Sequence, residues 1–447
     1  MARGLAADLA RRSAALRFDE LPDEVVCLVE QCVLDTAGVT IGSCQEPVVQ
    51  ALLSALAGDL GPGESSLFDG TGRRVNTAAA VLVNATTAHA ADFDDVLTPM
   101  IGHPSAPLVP TVLALGEQLR SSGDEVVTAL VAGYEVQCRI GAAIVPAHYA
   151  RGFHPTGTAA TFGVATGAGR LLGLDATGLT AALGIAATQA AGLKAMFGTM
   201  TKPLHAGKAA ANGLLAARLA AAGVTTAEDG LGAPDGFFAA TAQEVDEAVL
   251  AEPFGQPWYT LAITPKVHAA CGFAHGAIEA MLRARQHVVA DDVEHVELRV
   301  SPETLATAGI GVPSTPLEAK FSTAWVSAMA LHRGSVGAAD FGPGVVDDAA
   351  LLQLAGKIRT VADPSLTTFA CTAAVTTREH GVVSVDADAG TRAWVRHPEE
   401  QRERLCAKFV SLVHPVMGYA AATMPDAILG SLRTVPDVRP TVRLLAG

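Results

Sequence analysis

The chain has 447 residues, half of them hydrophobic and only 17% charged, and 45 acidic against 31 basic side chains give a formal net charge of −14. That length exceeds what one hydrophobic core ordinarily serves, so two domains are expected, and the apolar fraction excludes a disordered chain. Net acidity without any basic run excludes a nucleic-acid binder.

The N-terminal MARGLAADLARRSAALRFDE has no continuous apolar core and reads as an amphipathic helix, not a signal peptide. Leu21-Pro22-Asp23-Glu24 opens a helix with Pro in its first turn, and Val26, Val29, Val33 and Ala37 then share one face. Ser122-Gly123-Asp124-Glu125 has capping-box spacing ahead of Val127, Leu130, Val131, Tyr134 and Cys138 at helical intervals. The tracts 158–172, 178–193 and 206–222 are Ala/Gly-rich, as expected of closely packed central helices. The most apolar of them, 178–193, falls short of the ~20 strongly apolar residues a membrane span needs. A soluble, cytoplasmic protein is expected.

The pattern changes near residues 253–265. Val296, Leu298 and Val300 alternate with Glu297 and Arg299, and 371–388 reads as a β-hairpin turning at Glu379-His380-Gly381. Residues 319–332 return to helix, as does the segment after Pro398 with Leu405, Phe409 and Val413. The expected fold is mainly α: an all-α helical domain of residues 1–262 plus 399–447, with an inserted, smaller α/β domain of residues 263–398.

Seven cysteines without a CxxC pair disfavour structural zinc, a disulfide framework and an iron–sulfur cluster. Four polar clusters remain. The first is His89-Ala-Ala-Asp92-Phe-Asp94-Asp95, running through Val96 to His103-Pro104-Ser105. Asp94 and Asp95 read equally as caps of a helix or loop, whereas Asp92 and His103 bracket a loop and suit acid/base work. The carboxylates lack Ca²⁺-loop spacing, and no metal is expected. The second cluster is Gly152-Phe153-His154, just ahead of a helix whose N-terminus attracts anions. The third, Thr201-Lys202-Pro203-Leu204-His205, again precedes a small-residue helix, with Lys208 read as solvated. The fourth is Lys266-Val-His268-Ala-Ala-Cys271-Gly-Phe-Ala-His275, where Cys271 reads as an inert thiol and His275 as the face of a new helix. With only seven lysines in the chain, these clusters supply cations, imidazoles and carboxylates without a redox group. That inventory suits a di- or tricarboxylate held by cations while a base removes the proton α to a carboxylate.

In order along the chain, HAADFDD…GHPSAPLVP, GFHPTGT, TKPLHAGKAAANG, KVHAACGFAH and KFSTAW resemble the MmgE/PrpD family. That family includes 2-methylcitrate dehydratase, cis-aconitate decarboxylase and iminodisuccinate epimerase. The resemblance implies a large helical domain with a smaller α/β lid domain, a homodimer, and neither metal nor organic cofactor. It assigns Asp92 to orientation or proton abstraction and His103 and His154 to acid/base partnership. Lys202 and Lys266 become carboxylate clamps, and His275 matches the histidine common after the lid lysine. Ser105 belongs to the HPS motif. Three pocket positions depart from the decarboxylase pattern: Val96 stands for Thr, Cys271 for His and Trp325 for Tyr. These departures disfavour decarboxylation. The expected activity is a cofactor-independent dehydratase of a hydroxy-polycarboxylate, with an α-carbon epimerase as the alternative and a non-catalytic ligand-binding dimer as a third reading.

Overall fold

The computed structural model describes residues 4–342, 344–379, 381–389 and 398–447. The chain divides into two compact units, Met1–Pro265 with Glu399–Gly447, and Lys266–Pro398.

The first unit is built on helices. Asp23–Gly42 buries every residue from Leu28 to Ile41, so its apolar surface is not one face but the whole cylinder. Pro22 stands just outside it as the N-cap rather than within the first turn. Gly123–Ile144 begins where its capping signal places it, with the Ser122 N–H donating to Glu125 Oε2 at 2.9 Å. It packs against Ala159–Leu171 at glycine contacts, because a Cβ on Gly133 would lie 2.8 Å from the Gly163 carbonyl, and one on Gly163 2.7 Å from the Gly133 carbonyl. Gly163→Ala is therefore expected to cost about 1–3 kcal/mol by forcing two backbones apart. In urea unfolding its midpoint should fall while that of Gly58→Ala, which meets nothing within 4 Å, stays put.

The tract 178–193 is not one helix. Ala176–Ala187 is helical, and the chain then runs beside the loop carrying His154: the His154 N–H donates to Gly192 O at 3.0 Å and the Lys194 N–H to Gly152 O at 2.8 Å. Gly157 permits this approach, since a Cβ there would stand 2.5 Å from Ala191 O. The expected all-α domain also holds two short ladders, Ser65–Ser66 with Arg74–Val75 and Val96–Leu97 with Ile263–Thr264. The second ladder keeps residues 263–264 in this unit.

The C-terminal helix Pro398–Met417 buries Leu405, Phe409 and Val413 as its pattern requires. Phe409 fills the space a side chain on Gly38 would take. Lys408 reaches Asp35 at 2.7 Å and donates to Phe93 O at 2.7 Å. Asp23–Gly42 and Glu399–Ala422, rather than 178–193, have the length and apolarity of a membrane span. Yet Asp35 on the first and Lys408 on the second are buried against each other, which packs both helices into this unit.

The second unit carries a four-stranded sheet in the order Ile358–Ala362, Val293–Val300, Ala370–Thr377, Gly381–Asp388. The first pair is parallel and the others antiparallel, with Val296 opposite both Ile358 and Val375. The last two strands form the expected hairpin, whose turn residue His380 lies outside the described residues. The helix expected over 319–332 is Thr323–Arg333, and a separate turn at Pro316–Ala319 precedes it. Ser322 interrupts the run, its hydroxyl accepting the Trp325 N–H as an N-cap.

Candidate active site

Three segments of the first unit converge on one buried polar cluster. Thr77–Ala90 delivers His89 in its last turn, and the chain then reverses through Asp92, whose φ of +53° is left-handed. Asp is among the few residues that adopt this conformation readily. The reversal places Asp92, Asp94 and Asp95 ahead of the Val96–Leu97 strand, and His103 follows before the helix Ser105–Leu119. The 152–157 loop brings His154. The TKPLH segment is not ahead of a helix but inside the first turns of Thr201–Ala221, with Lys202 second in that helix. A helix N-terminus disfavours a cation, so Lys202 is held there by something else.

That partner is Asp92, whose Oδ1 lies 2.7 Å from Lys202 Nζ in a pair with side chains only 3–4% exposed. His103 Nε2 is 3.8 Å from the same oxygen. On its other side the His103 ring has Nδ1 at 3.0 Å from Asp95 O and 3.2 Å from Asp94 Oδ2. A backbone carbonyl only accepts, so Nδ1 carries a proton, and in the neutral ring the lone pair is on Nε2, facing Asp92. The His103 N–H donates to Thr156 Oγ1 at 3.0 Å, which ties the first loop to the 152–157 loop.

Two further imidazoles complete the cluster. His89 Nδ1 lies 3.0 Å from both oxygens of Asp94, and its ring centroid is 4.4 Å from that of His103. His154 and His205 share a hydrogen bond between their Nδ1 atoms at 3.0 Å, and Phe197 meets His154 edge-on.

The electrostatics sort these groups. Burial lowers His89 to about 4 against the pull of Asp94, and it lowers His205 to about 4 with the help of His89 and Lys202. Burial and the Lys202 charge take His154 well below the usual histidine value. These three rings are neutral at pH 7. Burial alone would raise Asp94, but His89 and His103 outweigh it and hold the carboxyl well below the usual range. Burial lifts neighbouring Asp95 to about 7, with Asp35 and Asp94 adding to the rise and the Ser105 hydrogen bond opposing it. Adjacent carboxyls with opposite shifts are a mark of a functional site.

Of the expected residues, the structure brings Asp92, His103, His154 and Lys202 together. Val96 follows directly, half-buried in its short strand. Ser105 lies behind Asp95: its hydroxyl donates to that carboxylate and shares a 2.6 Å hydrogen bond with Tyr134, so the hydroxyl is committed away from the histidines. Lys208 is exposed. Lys266, Cys271, His275 and Trp325 lie in the second unit, all buried. There the Cys271 N–H donates to Lys320 O at 2.9 Å, and His275 opens a helix with Nε2 donating to Ala270 O at 3.3 Å. The Trp325 indole N–H meets no acceptor among the described residues.

Side-chain donors of His89, Asp92, Asp94 and His103 lie within 4.8 Å of one another, as do those of His89, His103 and His154. These donors are engaged with one another, Asp94 with the imidazoles and Asp92 with the Lys202 ammonium, so a metal would compete with Lys202 for Asp92. Lys202 is already the cation of the site.

Residues 7–248 match the MmgE/PrpD N-terminal domain and residues 268–432 match the MmgE/PrpD C-terminal domain. The chain belongs to the MmgE/PrpD family. Within that family it is similar to a cis-aconitate decarboxylase of Aspergillus terreus (strain NIH 2624 / FGSC A1156), 31% identical over 296 residues, which cover 62% of this chain. The match spans 59% of the length of that relative. It is also 27% identical over 478 residues to a cis-aconitate decarboxylase of Homo sapiens, covering 100% of this chain and 95% of the relative. A Mus musculus cis-aconitate decarboxylase is 26% identical over 455 residues, covering 97% and 91%. The buried cluster lies inside the region matched by the N-terminal domain of the family.

Proposed function

We propose that this MmgE/PrpD chain is a lyase acting on a small di- or tricarboxylate without a bound metal or organic cofactor, and that its reaction is the dehydration of a hydroxy acid. The observation that carries the reading is the buried Lys202–Asp92 pair with His103 Nε2 on the same carboxylate, a fixed cation beside an imidazole lone pair. The similarity to cis-aconitate decarboxylases supports the lyase class and the polycarboxylate.

In this reading Lys202 binds a substrate carboxylate and stabilises the negative charge that grows on it as the α C–H bond breaks. His103 takes that proton on Nε2. The β C–O bond then breaks, the alkene forms, and protonated His103 returns the proton to the departing hydroxyl as water. Neutral His154 orients the substrate by hydrogen bonding. It is not the acid, because burial keeps it unprotonated. Lys266 and His275 are proposed substrate contacts on the family resemblance, and the protein is proposed to be a cytoplasmic homodimer.

A second reading, decarboxylation, is favoured by the names of the relatives. Proton NMR in D₂O on a panel of hydroxy di- and tricarboxylates and cis-aconitate separates the two. Dehydration gives new alkene signals with loss of water, and decarboxylation gives CO₂ and one carboxylate fewer. Exchange of the α-proton with solvent without loss of water selects the epimerase. The expected result is alkene formation that His103→Ala abolishes. Unchanged turnover in His103→Ala would overturn the assignment, and ligand-induced stabilisation without turnover or exchange would make the chain a binding protein.

A further inference from the structure

Asp94 stands apart from the other carboxylates of the site. Asp92 has Lys202, and Asp95 is lifted towards neutrality by burial. Asp94 is fully buried, and among the described residues its ion-pair partners are imidazoles alone, at 3.0 Å and 3.2 Å. A buried anion without a full cation is costly unless its charge is used.

We propose that Asp94 is a positioning residue for His103: its carboxylate holds the ring with Nδ1–H inward and Nε2 outward, and its charge stabilises the imidazolium formed when Nε2 takes a proton. The proposal rests on the reading of His103 as the base. The same carboxylate fixes His89, whose Nδ1 has both Asp94 oxygens at 3.0 Å and whose buried Nε2 has no hydrogen-bond partner among the described residues. One anion thereby faces the Nδ1 atoms of two adjacent rings, and the His89 tautomer rests on it. The two are not held equally. His103 Nδ1 also donates to Asp95 O, so its tautomer is doubly fixed, whereas His89 relies on Asp94.

Among the described residues, His103 is surrounded by carboxylates and neutral rings. Asp94 lies 3.2 Å from its Nδ1 and Asp92 3.8 Å from its Nε2. Lys202 neutralises Asp92 at 2.7 Å. His89 and His154, with centroids at 4.4 Å and 6.2 Å, are neutral rings, and Asp95 faces the ring through its backbone carbonyl. Among the described residues Asp94 is therefore the charge nearest the imidazolium that has no full cation on it.

Long-range ¹H–¹⁵N NMR of the full-length protein at neutral pH tests this without a substrate. In the wild type both His89 and His103 are expected as the Nδ1–H tautomer. In Asp94→Asn, His103 keeps that tautomer through the Asp95 carbonyl, His89 becomes a mixture, and the titration midpoint of His103 drops by roughly 1–2 pH units. On the best substrate of the panel, kcat should fall on the order of 10²-fold or more with KM little changed, the acid limb of the pH profile moving with His103. An Nε2–H tautomer of His103 in the wild type would overturn the proposal, and so would an unmoved midpoint in the variant. Failure to find any substrate would overturn the proposed function while leaving both spectroscopic results standing. Should Asp94→Asn not fold, the His89 tautomer and the His103 midpoint are read on Asp94→Ser instead.

Discussion

Lys202→Met is expected to lose both turnover and stability, and for separable reasons. The side chain is buried, and removing it leaves the Asp92 carboxylate without the ammonium at 2.7 Å. Breaking a buried pair from one side costs about 3–5 kcal/mol, because the remaining charge stays buried without the cation that compensated it. The chemical loss has another origin. Among the described residues Lys202 is the full cation paired to this cluster, and removing one such donor typically costs ~10²–10³-fold in rate. The double variant Lys202→Met/Asp92→Asn separates the two effects. It removes the buried Asp92 charge along with its ammonium and should recover most of the melting temperature, while turnover stays lost. If the double variant regained activity, Lys202 would be serving Asp92 and not the substrate. If Lys202→Met kept turnover within about twofold, the carboxylate-clamp role would fall.

The frame of the protein was readable because its signals are local. The capping box at Ser122–Glu125, the alternation at 296–300 and the heptad-like spacing of Leu405, Phe409 and Val413 each report their own segment. Errors arose where a segment answers to something distant. The tract 178–193 is apolar throughout, and composition alone cannot show that residues 188–193 leave the helix to support the His154 loop. TKPLH reads as a pre-helix loop because Pro usually ends helices, yet in a first turn its missing N–H costs nothing.

The site divides in the same way. Asp92, His103, His154 and Lys202 stood out by motif and rarity. His89 and His205 carry no such signal, since each sits inside an apolar helical pattern where a histidine reads as core. Asp94 and Asp95 were indistinguishable as neighbours that might cap a helix. Asp95 does so, accepting the Ser105 N–H at 3.2 Å, while Asp94 turns the other way to two imidazoles. Adjacent residues on an irregular loop have no periodicity to predict which way each side chain faces. The left-handed turn at Asp92 decides it.

The buried histidines set the second large expectation, a loss of stability in mild acid. His89, His148 and His205 are each lowered to about 4, all chiefly by burial, and His154 is lower than the usual value for the same reason. Unfolded histidine titrates near 6.5. Between these values the unfolded chain binds protons that the folded chain refuses, so stability is full above pH 6.5 and is lost as pH falls towards 4. Fully buried His89 alone contributes ~3 kcal/mol to that loss. Asp95 acts in the opposite sense: raised to about 7, it holds a proton in the folded state that the unfolded state releases above about 4, so it costs stability as pH rises. One carboxyl offsets about one histidine, which leaves about three histidines' worth, a net acid loss of at most roughly 10 kcal/mol. Melting temperatures should therefore hold near a plateau above pH 6.5 and fall steeply to pH 4. Asp95→Asn removes the opposing group, so its advantage over wild type should be larger at pH 7.5 than at pH 5, and its acid fall steeper. A flat profile from pH 6.5 to 4.5 would mean that the histidines take up protons in the folded state. The polar cluster would then be open to water, and the neutral His154 and the Nε2 lone pair of His103, on which the proposed chemistry depends, would be lost with it.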